Sequence, residues 1–246
     1  MSDDQLVLAP LPVSGGKRAE QVMDAVRAAL DSGVMKPGIK YSAYQLADAL
    51  GVSRTPVRDA LLRLEEVGLI RFEARQGFRI LLPDPREIAD IFAIRLALEL
   101  PAVSRAAGVC DPALAARLQQ RMETLRSVAT TGDEHAFAHH DQLLHDHIME
   151  AAGNSRARAI VRSMRESIRL LGAITTDRAR TLFDIDDEHQ PVIAAIVANE
   201  AESATAAMRT HLTSTARILI GQSIQDQDSQ LDGDTLWSQA IQHHLP

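Results

Sequence analysis

The chain of 246 residues is long enough for one large or two modest domains with a buried core. Aromatic residues make up only 3% of it, which disfavours an all-β sandwich and an RNA-stacking module, and its single cysteine excludes an intrachain disulfide framework and a multi-cysteine zinc site. Its 26 basic and 33 acidic side chains leave a formal net charge of −7, which argues against a protein that coats nucleic acid.

The charge is unevenly distributed along the chain. Residues 1–83 carry 11 Lys and Arg against 10 Asp and Glu, whereas residues 84–246 carry 15 against 23. Within the first part, residues 36–80 hold eight basic and five acidic side chains, and all nine histidines follow residue 134. This asymmetry predicts two parts with different chemistry, which the charge of the whole chain conceals.

Targeting and membrane-spanning segments are not evident in the sequence. The amino terminus lacks the basic stretch and apolar run of a secretory signal. No stretch approaches 18 consecutive apolar residues. We therefore expect a cytoplasmic protein that does not span a membrane.

The first part of the chain predicts helices followed by a hairpin. Residues 1–16 contain two prolines and two glycines and are predicted to form a flexible arm. The predicted elements that follow are helices at 17–32, 42–50 and 53–67 and strands at 69–73 and 78–82. Ser42 and Gln45 have the spacing of a capping box at the start of the second helix.

The rest of the chain is predicted to be helical almost throughout. The segment Pro83-Asp84-Pro85 is predicted to mark a domain boundary. Beyond it, helices are predicted at 86–107, 112–130, 133–152, 155–175, 179–198 and 200–222. Residues 223–246 are rich in Gln and Asp and are predicted to form a polar tail with a short helix at 235–242. The predicted fold class is therefore mainly α, with an all-helical bundle over residues 84–222.

Two helices joined by a tight turn and followed by a hairpin have the layout of a winged helix-turn-helix, predicted over residues 17–83. In such a domain the amino-terminal end of the second helix enters the major groove, and here that end is the segment Ser53-Arg54-Thr55-Pro56-Val57-Arg58. Arg54 and Arg58 share one helix face, and guanidinium groups pair bidentately with guanine. The hairpin tip, Arg75-Gln76-Gly77, can reach a minor groove. The alternative is an ordinary core segment with a solvated basic face.

The segment LADALGVSRTPVRDALLRL, from Leu46 to Leu64, resembles the DNA-binding domain of the GntR family of bacterial regulators. The glycines at positions 68 and 77 fit the same pattern. The resemblance implies base or phosphate contacts by Arg54, Thr55 and Arg58, and a wing tip at Gln76 and Gly77. Tyr44 departs from the family pattern, because many members carry at this position a charged residue that helps to read the operator. The resemblance therefore implies DNA binding but no particular operator sequence.

Three predicted helices place polar side chains on their apolar faces. Asp141 and His145 lie one turn apart on the apolar stripe of the helix at 133–152, and His189 and His211 lie in apolar stripes of the last two helices. Buried polar groups need partners, and one carboxylate with three imidazoles suits a borderline divalent cation such as zinc, nickel or manganese. The alternative for each histidine is a hydrogen bond within the core.

A second resemblance includes the same residues. The segments Asp141-x-x-x-His145, Ala151-Ala-Gly-Asn154, Glu188-His189 and Met208-Arg-Thr-His211 resemble the FCD ligand-binding domain. That domain follows the winged helix in the FadR-type branch of the GntR family. The resemblance implies an all-helical bundle, a homodimer, a buried pocket and a cation held by Asp141, His145, His189 and His211. Six predicted helices resemble the VanR-type arrangement.

Arg95 and Glu99 match an Arg-x-x-x-Glu pattern on the first helix of that domain. Their spacing of four residues is explained equally well by a plain salt bridge or by an effector site in which Arg95 meets a carboxylate near the metal. Arg162, Arg165 and Arg169 share another helix face, and we expect at most one of them in the pocket.

The leading hypothesis is a transcriptional regulator rather than an enzyme. A homodimer would place two reading helices in successive major grooves of a near-palindromic double-stranded operator. A small carboxylate or sugar acid would bind the metal and Arg95, and family behaviour implies repression relieved by that effector. One alternative is a metal-dependent hydrolase with Glu99 as general base. Another is a regulator for which the metal ion itself is the signal.

Overall fold

The computed structural model describes residues 6–11, 18–66, 68–73, 77–81, 84–170, 175–176 and 179–244. It is mainly helical, which confirms the predicted fold class, and the chain divides chiefly between Pro83 and Asp84 into two compact units. None of the described helices is both long enough and apolar enough to cross a membrane.

The first unit combines helices with a small sheet. Its described elements are α1 (Arg18–Asp31), β1 (Lys40–Tyr41), α2 (Ala43–Leu50), α3 (Arg54–Glu66), β2 (Ile70–Glu73) and β3 (Gly77–Ile80). The capping box of α2 is confirmed, because the Ser42 hydroxyl accepts from a backbone N–H of the first turn and Gln45 accepts from the Ser42 N–H. The strand β1 was not predicted, because two residues are too few to show an alternating pattern.

The antiparallel sheet has the strand order β1-β3-β2 and closes the core of the first unit. Phe78 of β3 lies opposite Tyr41 and Phe72, and its own side chain is fully buried. The buried face of α3 packs into the same core with Val57, Ala60, Leu61 and Leu64. Because that face points inward, the opposite side of α3 is left exposed.

Part of the predicted flexible arm is held against this core. Leu6, Leu8 and Leu11 pack against the buried cluster, and the Leu11 N–H donates to the Leu50 carbonyl oxygen at 3.0 Å. The prolines and glycines of this segment predict an irregular backbone. They do not predict the position of its leucines, whose burial stabilises the packed conformation.

Gly77 is the one residue of the predicted wing tip that the structure describes. Its φ of 99° is strained for any other residue, and an added Cβ would lie 2.1 Å from the Tyr41 carbonyl oxygen. We expect Gly77→Ala to destabilise the first unit by roughly 1–3 kcal/mol in urea unfolding. Gly33→Ala is the matched control, since Gly33 also has a positive φ but nothing within 4 Å of the added atom. Equal losses from the two variants would contradict the steric explanation.

The second unit is built from α-helices. They are α4 (Pro85–Gly108), α5 (Pro112–Thr131), α6 (Glu134–Ala151), α7 (Ser155–Leu170), α8 (Leu182–Val197), α9 (Ala201–Asp226) and α10 (Gly233–His244). Aspartate side chains cap α4, α5 and α6, and a capping box led by Thr181 makes α8 begin later than predicted. Helix α4 packs against α6, α8, α9 and α10, and α5 packs against α6 and α8.

The end of the chain differs from the predicted polar tail. Helix α9 continues through Asp226, so the boundary predicted after residue 222 falls inside a helix. Helix α10 is longer than the helix predicted at 235–242 and packs against α4 and α9 with Trp237 buried. Leu236 and Ala240 are buried beside Trp237, so a few apolar side chains on one face hold a segment whose overall composition is polar.

Candidate functional site

The amino-terminal end of α3 presents a basic surface. Arg54, Thr55 and Arg58 are exposed, as is Ser53 immediately before the helix, while the apolar face of α3 is buried. The Arg54 guanidinium stacks over the ring of Tyr44, with its Cζ 3.9 Å from the ring centroid. The structure therefore brings together the predicted major-groove residues. Of the predicted wing tip, Arg75 and Gln76 lie outside the described residues.

The second candidate site is a buried cluster of imidazoles in the helical unit. His145 comes from α6, His189 from α8 and His211 from α9, and all three side chains are buried. One potential ligand atom from each lies within 4.8 Å of the other two. Each residue is on an apolar helix face, which is why helical packing brings them to one point.

The distances within this cluster fit ligands of a single ion. His189 Nε2 lies 3.2 Å from His145 Nε2 and 3.1 Å from Asp141 Oδ1. Asp141 Oδ1 lies 3.9 Å from His145 Nε2. Two nitrogen ligands at bond lengths of about 2.0–2.1 Å from a tetrahedral zinc ion are separated by about 3.3 Å. The structure thus brings the three nominated histidines together, with the fourth nominated ligand, Asp141, beside two of them.

Two carboxylates orient two of the rings. Glu99 Oε2 lies 2.7 Å from His145 Nδ1, and Glu188 Oε2 lies 2.9 Å from His211 Nδ1. A carboxylate at Nδ1 favours the tautomer that carries its proton there, which leaves the lone pair on Nε2 free to bind a cation. Glu188 is itself held by the Arg180 Nη1 at 2.6 Å.

The environment keeps these histidines neutral. Burial, together with the positive charge of Arg165, lowers the pKa of His145 to about 4. Burial and the neighbouring His189 lower the pKa of His211 to about 3. Since a metal ligand must be deprotonated, both imidazoles are in the binding form at neutral pH.

Asp141 supplies the negative charge of the cluster. Burial alone would raise the pKa of Asp141, but Arg165, which donates to its Oδ2, and the nearby histidines hold that pKa well below its ordinary value. Its buried Oδ1 lies 3.1 Å from His189 Nε2, which donates to it only in the tautomer that carries the proton on Nε2. In the other tautomer this ionised oxygen has no donor among the described residues, and a bound cation would then supply the missing partner.

Arg95 and Glu99 form a buried pair beside the imidazoles. Arg95 Nε donates to Glu99 Oε1 at 2.7 Å, and the Arg95 guanidinium lies over the Phe92 ring. The pKa of Glu99 is lowered, because Arg95 and His145 outweigh the opposing effect of burial. Arg95 Nη2 is buried and has no partner among the described residues. The predicted salt bridge therefore exists, and it still leaves one donor of Arg95 unused.

Three residues around the imidazole cluster were missed or only partly anticipated by sequence reasoning. Of Arg162, Arg165 and Arg169, which share one face of α7, Arg165 is the one that contacts Asp141. Glu188 and Arg180 were not nominated at all. Glu188 directly precedes His189, and this adjacency was a signal that could have drawn attention to it. Arg180 precedes α8 in the chain, and no periodic pattern identifies such a position.

Comparison with known proteins places both units in described families. Residues 18–80 match the family described as "Bacterial regulatory proteins, gntR family", and residues 90–214 match the FCD domain. A protein of Paenarthrobacter nicotinovorans called "Probable D-xylose utilization operon transcriptional repressor" is 29% identical over 195 residues, which are 79% of this chain and 85% of that protein.

A second relative and a solved structure agree with these matches. The HTH-type transcriptional regulator in the TAR-I ttuE-ttuC' intergenic region of Agrobacterium vitis is 32% identical over 148 residues, which are 59% of this chain and 86% of that protein. The structure of E. coli McbR/YncC has a TM-score of 0.68 and 25% identity, and the match covers 85% of this chain and 99% of that one.

Proposed function

Because the chain belongs to the GntR family of bacterial transcriptional regulators and carries an FCD domain, we propose that it is a repressor whose operator binding is controlled by a small carboxylate held beside a divalent metal ion. The observation that carries the proposal is the convergence of three buried imidazoles and Asp141 on one point in the unit that follows the DNA-binding domain. The name of the Paenarthrobacter relative supports repression as the mode of action.

Operator recognition is assigned to the exposed end of α3. Arg54 and Arg58 lie one turn apart and would each reach a guanine edge, while Ser53 and Thr55 lie where backbone phosphates approach a helix amino terminus. In a homodimer, two copies of α3 would occupy successive major grooves and read a near-palindromic operator. The wing residues Arg75, Gln76 and Gly77 would add minor-groove contacts.

The metal is assigned to Asp141, His145, His189 and His211. Three nitrogen donors and one carboxylate suit zinc, nickel or manganese, and the closeness of Asp141 Oδ1 to His189 Nε2 and the neutral rings of His145 and His211 fit such an ion. When bound, the cation supplies a positive charge to which a carboxylate ligand can coordinate. Glu99 and Glu188 hold their rings in the binding tautomer.

The effector is assigned to the space beside the metal ligands. The unpartnered Nη2 of Arg95 and Nε of Arg165 are both buried near Asp141, and such donors suit a carboxylate. His145 and Arg165 both line a small cavity between α6 and α7, of about 10 Å³.

The hydrolase alternative is not favoured by the position of Glu99. Both of its oxygens are engaged, one by Arg95 and the other by His145. Its pKa is lowered, whereas a general base that works at neutral pH needs a pKa near 7. These contacts support a positioning role for Glu99 instead.

Glu188→Gln tests the positioning of His211. An amide at this position no longer favours the Nδ1–H tautomer through its charge, so we expect zinc affinity to fall about 10- to 100-fold in isothermal titration. Asp187→Asn is the matched control, since Asp187 is the exposed neighbour of Glu188 and should leave zinc affinity unchanged. Equal affinities in the two variants would exclude the positioning role.

The proposed function is tested with DNA selected by the protein itself. The full-length chain should enrich a near-palindromic duplex from a randomised library in the presence of zinc. A panel of small hydroxy acids and sugar acids is then added, and at least one should release the protein from the duplex in a metal-dependent manner. If zinc alone releases the protein from the duplex, the metal ion is itself the signal. A failure to enrich any DNA sequence would overturn the proposal.

A further inference from the structure

An aromatic ring lies at the DNA-facing end of the first unit. Tyr44 is the second residue of α2, and its side chain is 57% exposed. The guanidinium of Arg54, the first residue of α3, stacks over this ring at 3.9 Å from the centroid. The two helix starts are therefore linked by a contact between exposed side chains.

The position of the ring is set by a rigid element. Helix α2 is anchored by the buried side chains Leu46, Ala47 and Leu50 and is capped by Ser42. A side chain carried by such a helix presents its face in a defined place. The backbone that carries the ring is thus fixed, and a tyrosine has fewer accessible rotamers than an arginine.

We propose that Tyr44 is a positioning residue that determines base specificity by holding the Arg54 guanidinium in the plane required for bidentate contact with one guanine in each half-site. This inference rests on the proposed role of Arg54 in reading the operator. Stacking uses the face of the guanidinium and leaves the N–H groups at its edge free, and those groups pair with guanine O6 and N7. Restricting Arg54 before binding reduces the entropy lost when the complex forms.

The contact predicts a particular energetic pattern. The benefit of Tyr44 should depend on Arg54, since the ring acts through the guanidinium. Tyr44 should strengthen binding to the selected sequence much more than binding to random DNA. The attraction between an arginine and the phosphates does not require an oriented guanidinium. The hydroxyl of Tyr44 has no part in stacking, so phenylalanine should serve equally well.

The experiment is a double-mutant cycle on the full-length protein. The probe is a duplex enriched by the wild-type chain, and a duplex of random sequence serves as the reference. Tyr44→Leu should weaken binding to the enriched duplex about two- to fivefold, the range expected for an exposed cation–π contact. Tyr44→Phe should stay within about twofold of wild type, and combining Tyr44→Leu with Arg54→Ala should add nothing to Arg54→Ala alone.

Each outcome bears on a defined part of the inference. Equal losses of affinity from Tyr44→Phe and Tyr44→Leu would show that Tyr44 acts through its hydroxyl rather than by stacking. Additive losses in the cycle would show that Tyr44 acts independently of Arg54. Both results overturn the inference and leave the proposed function intact. No loss from Arg54→Ala would overturn both. Thermal melting of each variant checks that these exposed substitutions leave the fold unchanged.

Discussion

Replacing Arg54 and Arg58 together with alanine should remove sequence-specific DNA binding and leave the rest of the protein intact. Each bidentate arginine–guanine pair is worth about 1–3 kcal/mol, so the double variant should bind an enriched duplex at least about thirtyfold more weakly, and as much as about ten-thousandfold. Both side chains are exposed, and the buried face of α3 is untouched, so the melting temperature should not change. Fluorescence anisotropy at fixed salt concentration measures the effect.

Arg63→Ala is the matched control for this loss. Arg63 is an exposed arginine in the last turn of the same helix, at the opposite end from the proposed reading surface. Its replacement removes the same kind of charge and should weaken binding less than about threefold, through bulk electrostatics alone. If Arg63→Ala weakens binding as much as the double variant does, α3 contributes charge rather than sequence recognition. The double variant should also bind zinc as the wild type does, since the proposed metal ligands lie in the other unit.

Replacing His189 with alanine should abolish tight metal binding. His189 Nε2 is the atom that lies close to both His145 Nε2 and Asp141 Oδ1, so its loss removes the central member of the cluster. Loss of a residue that merely orients a ligand costs about 10- to 100-fold in metal affinity, and loss of the ligand itself should cost more than about a hundredfold. Titration calorimetry with zinc and with nickel measures the loss directly.

The same variant should lose the stabilisation that the metal supplies. An ion present at a hundred times its dissociation constant stabilises the folded state by about 2.7 kcal/mol, equivalent to about 5–10 °C in the melting temperature of a unit of this size. His139→Ala is the control, because His139 is an exposed histidine on α6 that should leave both measurements unchanged. If zinc raises the melting temperature of His189→Ala as much as that of wild type, the ion binds elsewhere.

The predicted helices agree with the structure wherever local signals are strong. Apolar periodicity and capping residues depend on neighbours a few positions away. The predicted ends of the helices from α2 to α9 therefore lie within a few residues of the observed ends. The strand β1 carries no such signal, and for α10 the helix was predicted but its packing was not. The strand depends on its pairing with β3 and the packing of α10 on its contacts with α4, both of which are distant in the chain.

The candidate metal ligands were predictable for the same reason. A polar side chain on an apolar helix face must point into the core, so Asp141, His145, His189 and His211 could be nominated one helix at a time. Their separations could not be predicted, because these depend on how α6, α8 and α9 pack. The orienting contacts were equally hidden: Glu99 was nominated only as the partner of Arg95 or as a general base, and the contacts of Glu99 and Glu188 with imidazoles depend on the same packing.

The sequence by itself determined the division into a DNA-binding unit and a helical unit, the family and the residue types available to each site. It did so because charge distribution, periodicity and local motifs are properties of chain segments. Only the tertiary structure decided that Arg165 rather than Arg162 or Arg169 reaches Asp141, that Glu99 is shared between Arg95 and His145, and that the Arg54 guanidinium lies over the Tyr44 ring. Apart from the Arg95–Glu99 pair, which lies within α4 and follows from its spacing, each of those contacts joins two different helices, and pairing across helices leaves no trace in the spacing along either one.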